Sequence, residues 1–230
     1  ASDVYKRQEK MVYFGPWETY FLIAEALERQ WITSGDVKGI TAEEAYNKAI
    51  ELSFIHFGVS EYYEDYIKSE TYNRIGTSVA YTHTTPASAE TMQYIDGYTN
   101  KNVTVQYQYP DGSRTLYGGQ LNDHLSKIFT QKYIAQLPYL VQECWSDYRR
   151  VGLPFFDIPA NEKMMTGTDM TEWKPDSWTS GQKWQYYPQR MRYPTTLDNA
   201  NPTEYNHALE LLGGANTTMV PLWWSMGAIK

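Results

Sequence analysis

Between Pro16 and about Gln30 the apolar positions Trp17, Tyr20, Phe21, Ala24 and Leu27 recur every three or four residues, the period of a helix with one buried stripe. Pro16 suits the first turn, where a missing N–H costs nothing. Ser34 to Ile40 reads as a loop. A second helix opens at Thr41 with Glu44 three residues later, the spacing of a capping box. Its stripe (Ala42, Ala45, Tyr46, Ala49, Ile50, Ser53, Phe54, Phe57) runs to Gly58. The small residues 42, 45 and 49 let a neighbour approach closely. Helices 16–31 and 41–57 are therefore expected to pack antiparallel, burying Tyr20, Phe21, Ala24, Tyr46, Ala49 and Ile50. Ser60 is placed to cap a short third helix carrying Tyr63, Tyr66 and Ile67.

From 70 to 120 the helical period is lost and Tyr, Thr, Gly and Asn dominate. Val103, Val105, Tyr107 and Tyr109 alternate before Asp111-Gly112, and Arg114 to Tyr117 follows, a hairpin signal. Periodicity returns over about 122–137, with Leu121, Leu125, Ile128, Phe129 and Ala135. It continues over 138–150, with Leu140, Val141, Cys144, Trp145 and Tyr148, and Pro138 breaks the two apart. Trp145 is expected in the core. Residues 151 to about 200 carry five prolines and no period. A last helix is expected from Asn201-Pro202 to Gly213-Gly214, with Glu204 three after its cap. The pattern is mainly α, with two helix pairs, long irregular loops and a small β-hairpin. Pairs of this kind suggest a solenoid unit, although no 34-residue repeat is visible.

Composition narrows the function. With 230 residues the chain can bury a core without staples, and its single cysteine, Cys144, forms no internal disulfide. A net charge of −7 and the absence of a basic run argue against nucleic acid. No apolar stretch approaches the ~20 residues of a membrane span, and no signal peptide opens the chain. His56, His83, His124 and His207 lack metal spacing, there is no glycine-rich phosphate loop, and no cofactor is called for. Residues 1–8 show no pattern and read as foreign to the domain, which is taken as 9–230.

Six segments, in order, carry a family resemblance: YFLIAEA at 20–26, AYNKAIELSFIHFG at 45–58, IFTQKYIA at 128–135, ECWSDYRRVGLP at 143–154, PQRMRYP at 188–194 and LWW at 222–224. Together they resemble the C-terminal part of SusD/RagB-type outer-membrane nutrient-binding lipoproteins. The resemblance implies tetratricopeptide-like helix pairs and preceding sequence with a lipidated cysteine. It also implies a cell-surface location, with membrane attachment only through that anchor. The function it implies is non-catalytic capture of an oligosaccharide or other nutrient for a SusC-type TonB-dependent porin. The family's glutamate after "YP" is replaced here by Leu197 followed by Asp198.

Within the matched segments Gln131, Lys132, Trp145, Asp147, Arg149 and Arg150 read chiefly as structural. Arginines in a last turn favour the helix dipole and can bridge carboxylates. The aromatic content is 16%, including 21 Tyr and 8 Trp. Trp173, Trp178, Trp184 and Tyr186, with Tyr187 beside them, lie on a polar loop without a stripe to explain them, as do Tyr81 and Tyr98 in the 70–120 insertion. Such rings either pack against the helices or stack on the C–H face of a pyranose. Two other functions compete with glycan capture. One is a peptide-binding helical scaffold. The other is a glycoside hydrolase, which needs only two suitably spaced carboxylates; Glu61, Glu64 and Asp65 read as solvated instead.

Overall fold

The structure is a computed structural model describing residues 12–88, 91–95, 100–106, 119–156, 190–213, 215–218, 220 and 222. Helix α1 (Pro16–Glu28) starts with proline at its first position, as the sequence predicts. It ends in a Schellman turn: Gln30 N–H donates to Leu27 O at 3.0 Å and Trp31 N–H to Ala26 O at 2.9 Å. A 3₁₀ turn at Ser34–Val37 interrupts the expected loop. In α2 (Ala42–Phe57) the capping box is complete, Thr41 Oγ1 accepting from Glu44 N at 3.2 Å while Glu44 accepts from Thr41 N at 2.8 Å. Gly58, at φ 69°, closes the helix in the left-handed conformation that glycine adopts without strain.

The two helices form the expected antiparallel pair, the Trp17 ring near the start of α1 lying 4.9 Å from His56 near the end of α2. Phe21, Ala24, Tyr46 and Ala49 are wholly buried, and Ile50 almost so. Tyr20 is only half-buried. The inward face of α1 is rotated from the apolar stripe: it runs through Trp17, Glu18, Phe21, Ala24 and Glu25, two of them acids. The segment after Gly58 forms a 3₁₀ turn at Ser60–Tyr62, so Ser60 is not a helix cap there, and then a single turn, α3 (Tyr63–Tyr66). Phe54 anchors it with ring contacts to Tyr63 and Tyr66 at 6.0 and 5.0 Å.

Strands β1 (Thr91–Ile95) and β2 (Asn102–Gln106) pair antiparallel, Thr91 opposite Gln106 and Ile95 opposite Asn102. The strand expected from Val103 is therefore present, with a partner upstream of it; the expected turn at Asp111-Gly112 lies outside the described residues. Helix α4 (His124–Gln136) is capped by Asp123, whose carboxylate accepts from Ser126 N at 2.7 Å. It touches α1, α2 and α5 (Val141–Val151), and is buried on almost every side. Ile128 enters the core of the α1–α2 pair, while Phe129 enters a second core with Ala87, Leu121, Val151, Leu153 and Phe155. The α4–α5 connection includes Pro138, which follows a cis peptide bond.

Two expectations for the later helices are corrected. On α5 the buried face is Cys144, Asp147, Tyr148 and Val151, leaving Trp145 half-buried and stacked at 5.7 Å on Tyr148; Val141 is exposed. Asp147, two positions after Trp145 and so on a different face of the helix, is the residue that points inward, 2.7 Å from Lys132. A short α6 (Leu197–Ala200) precedes α7 (Pro202–Leu212), where only irregular chain was expected; α7 itself has the predicted Asn201 cap and Gly213 stop. Among the described residues no helix is long and apolar enough to cross a membrane.

Candidate functional site

The signature residues at 131–132 and 147–150 meet the two buried acids of α1 in one ionic network. Lys132 Nζ lies 2.8 Å from Glu18 and 2.7 Å from Asp147. Arg150 grips Glu25 with both terminal nitrogens, at 2.8 and 2.9 Å, and reaches Asp147 at 3.0 Å. Arg29 Nε adds a contact to Glu25 at 2.9 Å. Three acids face three bases, so the network is neutral. Gln136 donates to Glu18 at 2.6 Å and accepts from the Cys144 thiol at 2.8 Å. Gln131 accepts from the Tyr66 hydroxyl at 2.8 Å.

The titrations follow from this packing. Burial works to raise the Glu25 carboxyl, but Arg150 and Arg29 outweigh it and hold it below the ordinary range. Burial works to lower Lys132, and Asp147 and Glu18 reverse that. Burial, with Asp147 adding, pushes the Cys144 thiol up to about 12, which leaves it an unreactive core group. The network joins α1, α4 and α5 through Lys132, Asp147 and Arg150, with Gln131 beside it on Tyr66. Arg149 is half-buried on the same helix as Arg150.

A second polar cluster ties the 70–88 segment to α4. Lys127, fully buried, donates to Ser78 O at 2.9 Å, Ser78 Oγ at 2.7 Å and Asn122 Oδ1 at 2.7 Å. Those acceptors are neutral, and burial lowers its ammonium to about 8, with Asp123 opposing the fall. Ser78 Oγ also lies 2.9 Å from His83 Nδ1. A serine beside a lysine and a histidine has nucleophilic chemistry in principle, but Ser78 is 1% exposed, so no substrate reaches it. Asn122 completes the cluster by donating to the His83 and Thr85 carbonyls at 2.9 and 2.6 Å.

At the C-terminal end of α1 the polar groups are more open. The Tyr81 hydroxyl donates to Glu28 Oε1, which also lies 3.1 Å from His124 Nδ1. The Tyr81 ring stacks on His124 with centroids 4.1 Å apart. Tyr81 was expected as a surface ring, and this placement corrects that: it is 7% exposed, covered by His124 and, at 5.2 Å, by Tyr46. Burial and the Glu28 carboxylate together hold its hydroxyl protonated. Glu28 and His124 keep side-chain exposures of 23% and 35%. Three residues on, Trp31 stands 65% exposed with the Arg29 guanidinium 5.3 Å from its ring centre. Sequence reading passed over Trp31 because it follows the last periodic position of α1; a tryptophan just past a helix end was the available signal. The other expected ligand rings, Tyr98, Trp173, Trp178, Trp184 and Tyr186, lie outside the described residues. Among the described residues no group of three or more His, Cys, Asp or Glu is arranged to hold a metal.

Antiparallel helix pairs stacked on a central helix and joined by buried ion pairs define a tetratricopeptide-like helical protein. The sequence matches the SusD-like family, described as SusD and RagB outer membrane lipoprotein, over residues 1–225, and the chain belongs to it. A SusD homologue from Parabacteroides distasonis is 29% identical, with a TM-score of 0.64 over 94% of this chain and 33% of its own. A chitin-binding SusD homologue from Flavobacterium johnsoniae (24%, TM-score 0.51, 90% and 35%) and a SusD homologue from Bacteroides vulgatus (22%, 0.51, 92% and 35%) share the fold. The chain thus spans about a third of the length of these solved structures. No curated protein matches it.

Proposed function

We propose that the full-length protein captures an oligosaccharide at the cell surface, without cleaving it, for transfer to a SusC-type TonB-dependent porin. The observation that carries this reading is the family match across residues 1–225, in a family described as outer membrane lipoproteins. The described geometry is compatible with it. Glu18, Glu25 and Asp147 are neutralised by Lys132, Arg150 and Arg29 inside the framework, so these acids hold helices together instead of facing a substrate. Residues 9–230 are taken as the C-terminal part of the binding domain, attached to the outer membrane through a lipid anchor on preceding sequence.

The rings proposed to face the ligand are Trp173, Trp178, Trp184, Tyr186 and Tyr98, each able to stack on a pyranose while neighbouring polar groups bond its hydroxyls. Calorimetric titration of the full-length protein with plant and host glycans, repeated with each ring changed to alanine, tests the proposal. Binding that weakens in at least one ring variant, with the glycan recovered intact by chromatography, is the expected result. Unchanged binding in all five variants removes this set of rings. Shortened products in the recovered glycan would establish a glycoside hydrolase instead.

A further inference from the structure

We infer that Trp31 is a sugar-stacking ring at the C-terminal end of α1, with Glu28 and His124 supplying polar contacts to the hydroxyls of the same ligand. The inference rests on the proposed glycan capture and places one subsite of it among the described residues. Its first support is exposure. The described tryptophans are Trp17, Trp31 and Trp145; the first is buried, the last half-buried, and Trp31 stands 65% exposed. An exposed indole offers a flat apolar face on which the C–H face of a pyranose can stack.

The second support is that the ring is held firmly. The Trp31 amide is bonded to Ala26 O at 2.9 Å in the Schellman turn. Its side chain rests against the Arg29 guanidinium, which is anchored by Glu25, itself clamped by Arg150. Arg29 Nη2 is enclosed and meets no hydrogen-bond acceptor, as expected of a guanidinium placed for the ring it lies on. Presenting the ring also has a conformational cost. Gln30 takes the left-handed conformation, φ 58°, at a position where helices usually place glycine. A pre-organised ring loses little entropy when a ligand stacks on it.

The third support is the chemistry at the same end of α1. Glu28 uses Oε1 for both Tyr81 and His124, so Oε2 is left to accept. His124 is engaged through Nδ1, which leaves Nε2 available. One aromatic face with an acceptor and an imidazole nitrogen at the same helix end suits a polyhydroxylated, weakly apolar ligand better than an anion or a purely apolar one.

The test titrates the full-length protein by calorimetry with maltoheptaose, xylohexaose, laminarihexaose and chitohexaose, then repeats the best binder with Trp31→Ala, Trp31→Tyr and Glu28→Gln. The expected result is about a tenfold loss for Trp31→Ala, a smaller loss for Glu28→Gln and near-parental affinity for Trp31→Tyr, all with an unchanged melting temperature. If the parent binds and Trp31→Ala binds equally well, the subsite is wrong while glycan capture stands. If Trp31→Ala keeps its glycan affinity but loses co-purification with the porin, the ring is a protein contact and the subsite is again wrong. If the parent binds none of these four sugars and none of the plant and host glycans, the capture reading falls and this subsite with it.

Discussion

Lys127 and Lys132 lie on one helix, five residues apart, and burial acts on both in the same direction. Only Lys132 has carboxylates within hydrogen-bond reach, and the two titrate oppositely as a result. For Lys127, whose folded value of about 8 is below the ordinary 10.5, the unfolded chain binds more protons between those limits. Stability therefore rises with pH through that window. Referenced to Lys127→Met, so that other alkaline titrations cancel, the parent should gain on the order of 3 kcal/mol between pH 7.5 and 10.5. Urea unfolding across that range measures it; a flat difference would show that the ammonium is solvated. Lys132 has the opposite sign, its contribution being complete below the unfolded value and lost at higher pH. Glu25, held low, contributes above its unfolded value and loses that contribution as pH falls through its folded one. Lys132→Met strands Glu18 and Asp147 without their shared cation and should cost about 3–5 kcal/mol at neutral pH.

At the scale of the element, the helix ends explain more than the helix bodies. Thr41, Asp123 and Asn201 each accept a backbone N–H of the first turn, and Gly58, Gly152 and Gly213 each stop a helix at positive φ. These were readable because capping depends on residues within four positions of one another. α1 instead ends on Gln30, a non-glycine residue at positive φ. Gln30→Gly should therefore raise stability, by up to about 1 kcal/mol, in thermal unfolding. Helix bodies were less legible. Trp145 belonged to an apolar stripe that stands partly outward, while Asp147, paired with Lys132, faces the core. Trp145→Ala should accordingly cost about 1–2 kcal/mol, its stack on Tyr148 and half its burial, whereas Phe21→Ala, from a wholly buried ring, should cost about 3–5 kcal/mol. Equal losses in chemical denaturation would contradict that ordering.

For the molecule as a whole, α4 decides how the parts join. Neighbouring side chains, Ile128 and Phe129, enter different cores, so the α1–α2 pair and the α5 region share one wall. The local signals of this protein were present in the sequence by itself: helix positions, caps, glycine stops, the expected α1–α2 pair, and six ordered segments that identify the family. They are legible because each depends on a short window of chain or on a spaced pattern that survives divergence. Tertiary structure decided which polar residues went inside. Glu18 and Glu25 look like solvent-facing acids until α4 and α5 bring Lys132 and Arg150 against them from more than a hundred positions away. It decided equally that Tyr81, set in a polar loop, would be covered by His124 and Tyr46, while Trp31, next to a strongly periodic helix, would be left in solvent. A side chain's exposure depends on what arrives from elsewhere in the chain to cover it, and a charge can be buried only where its partner has already been positioned by the fold.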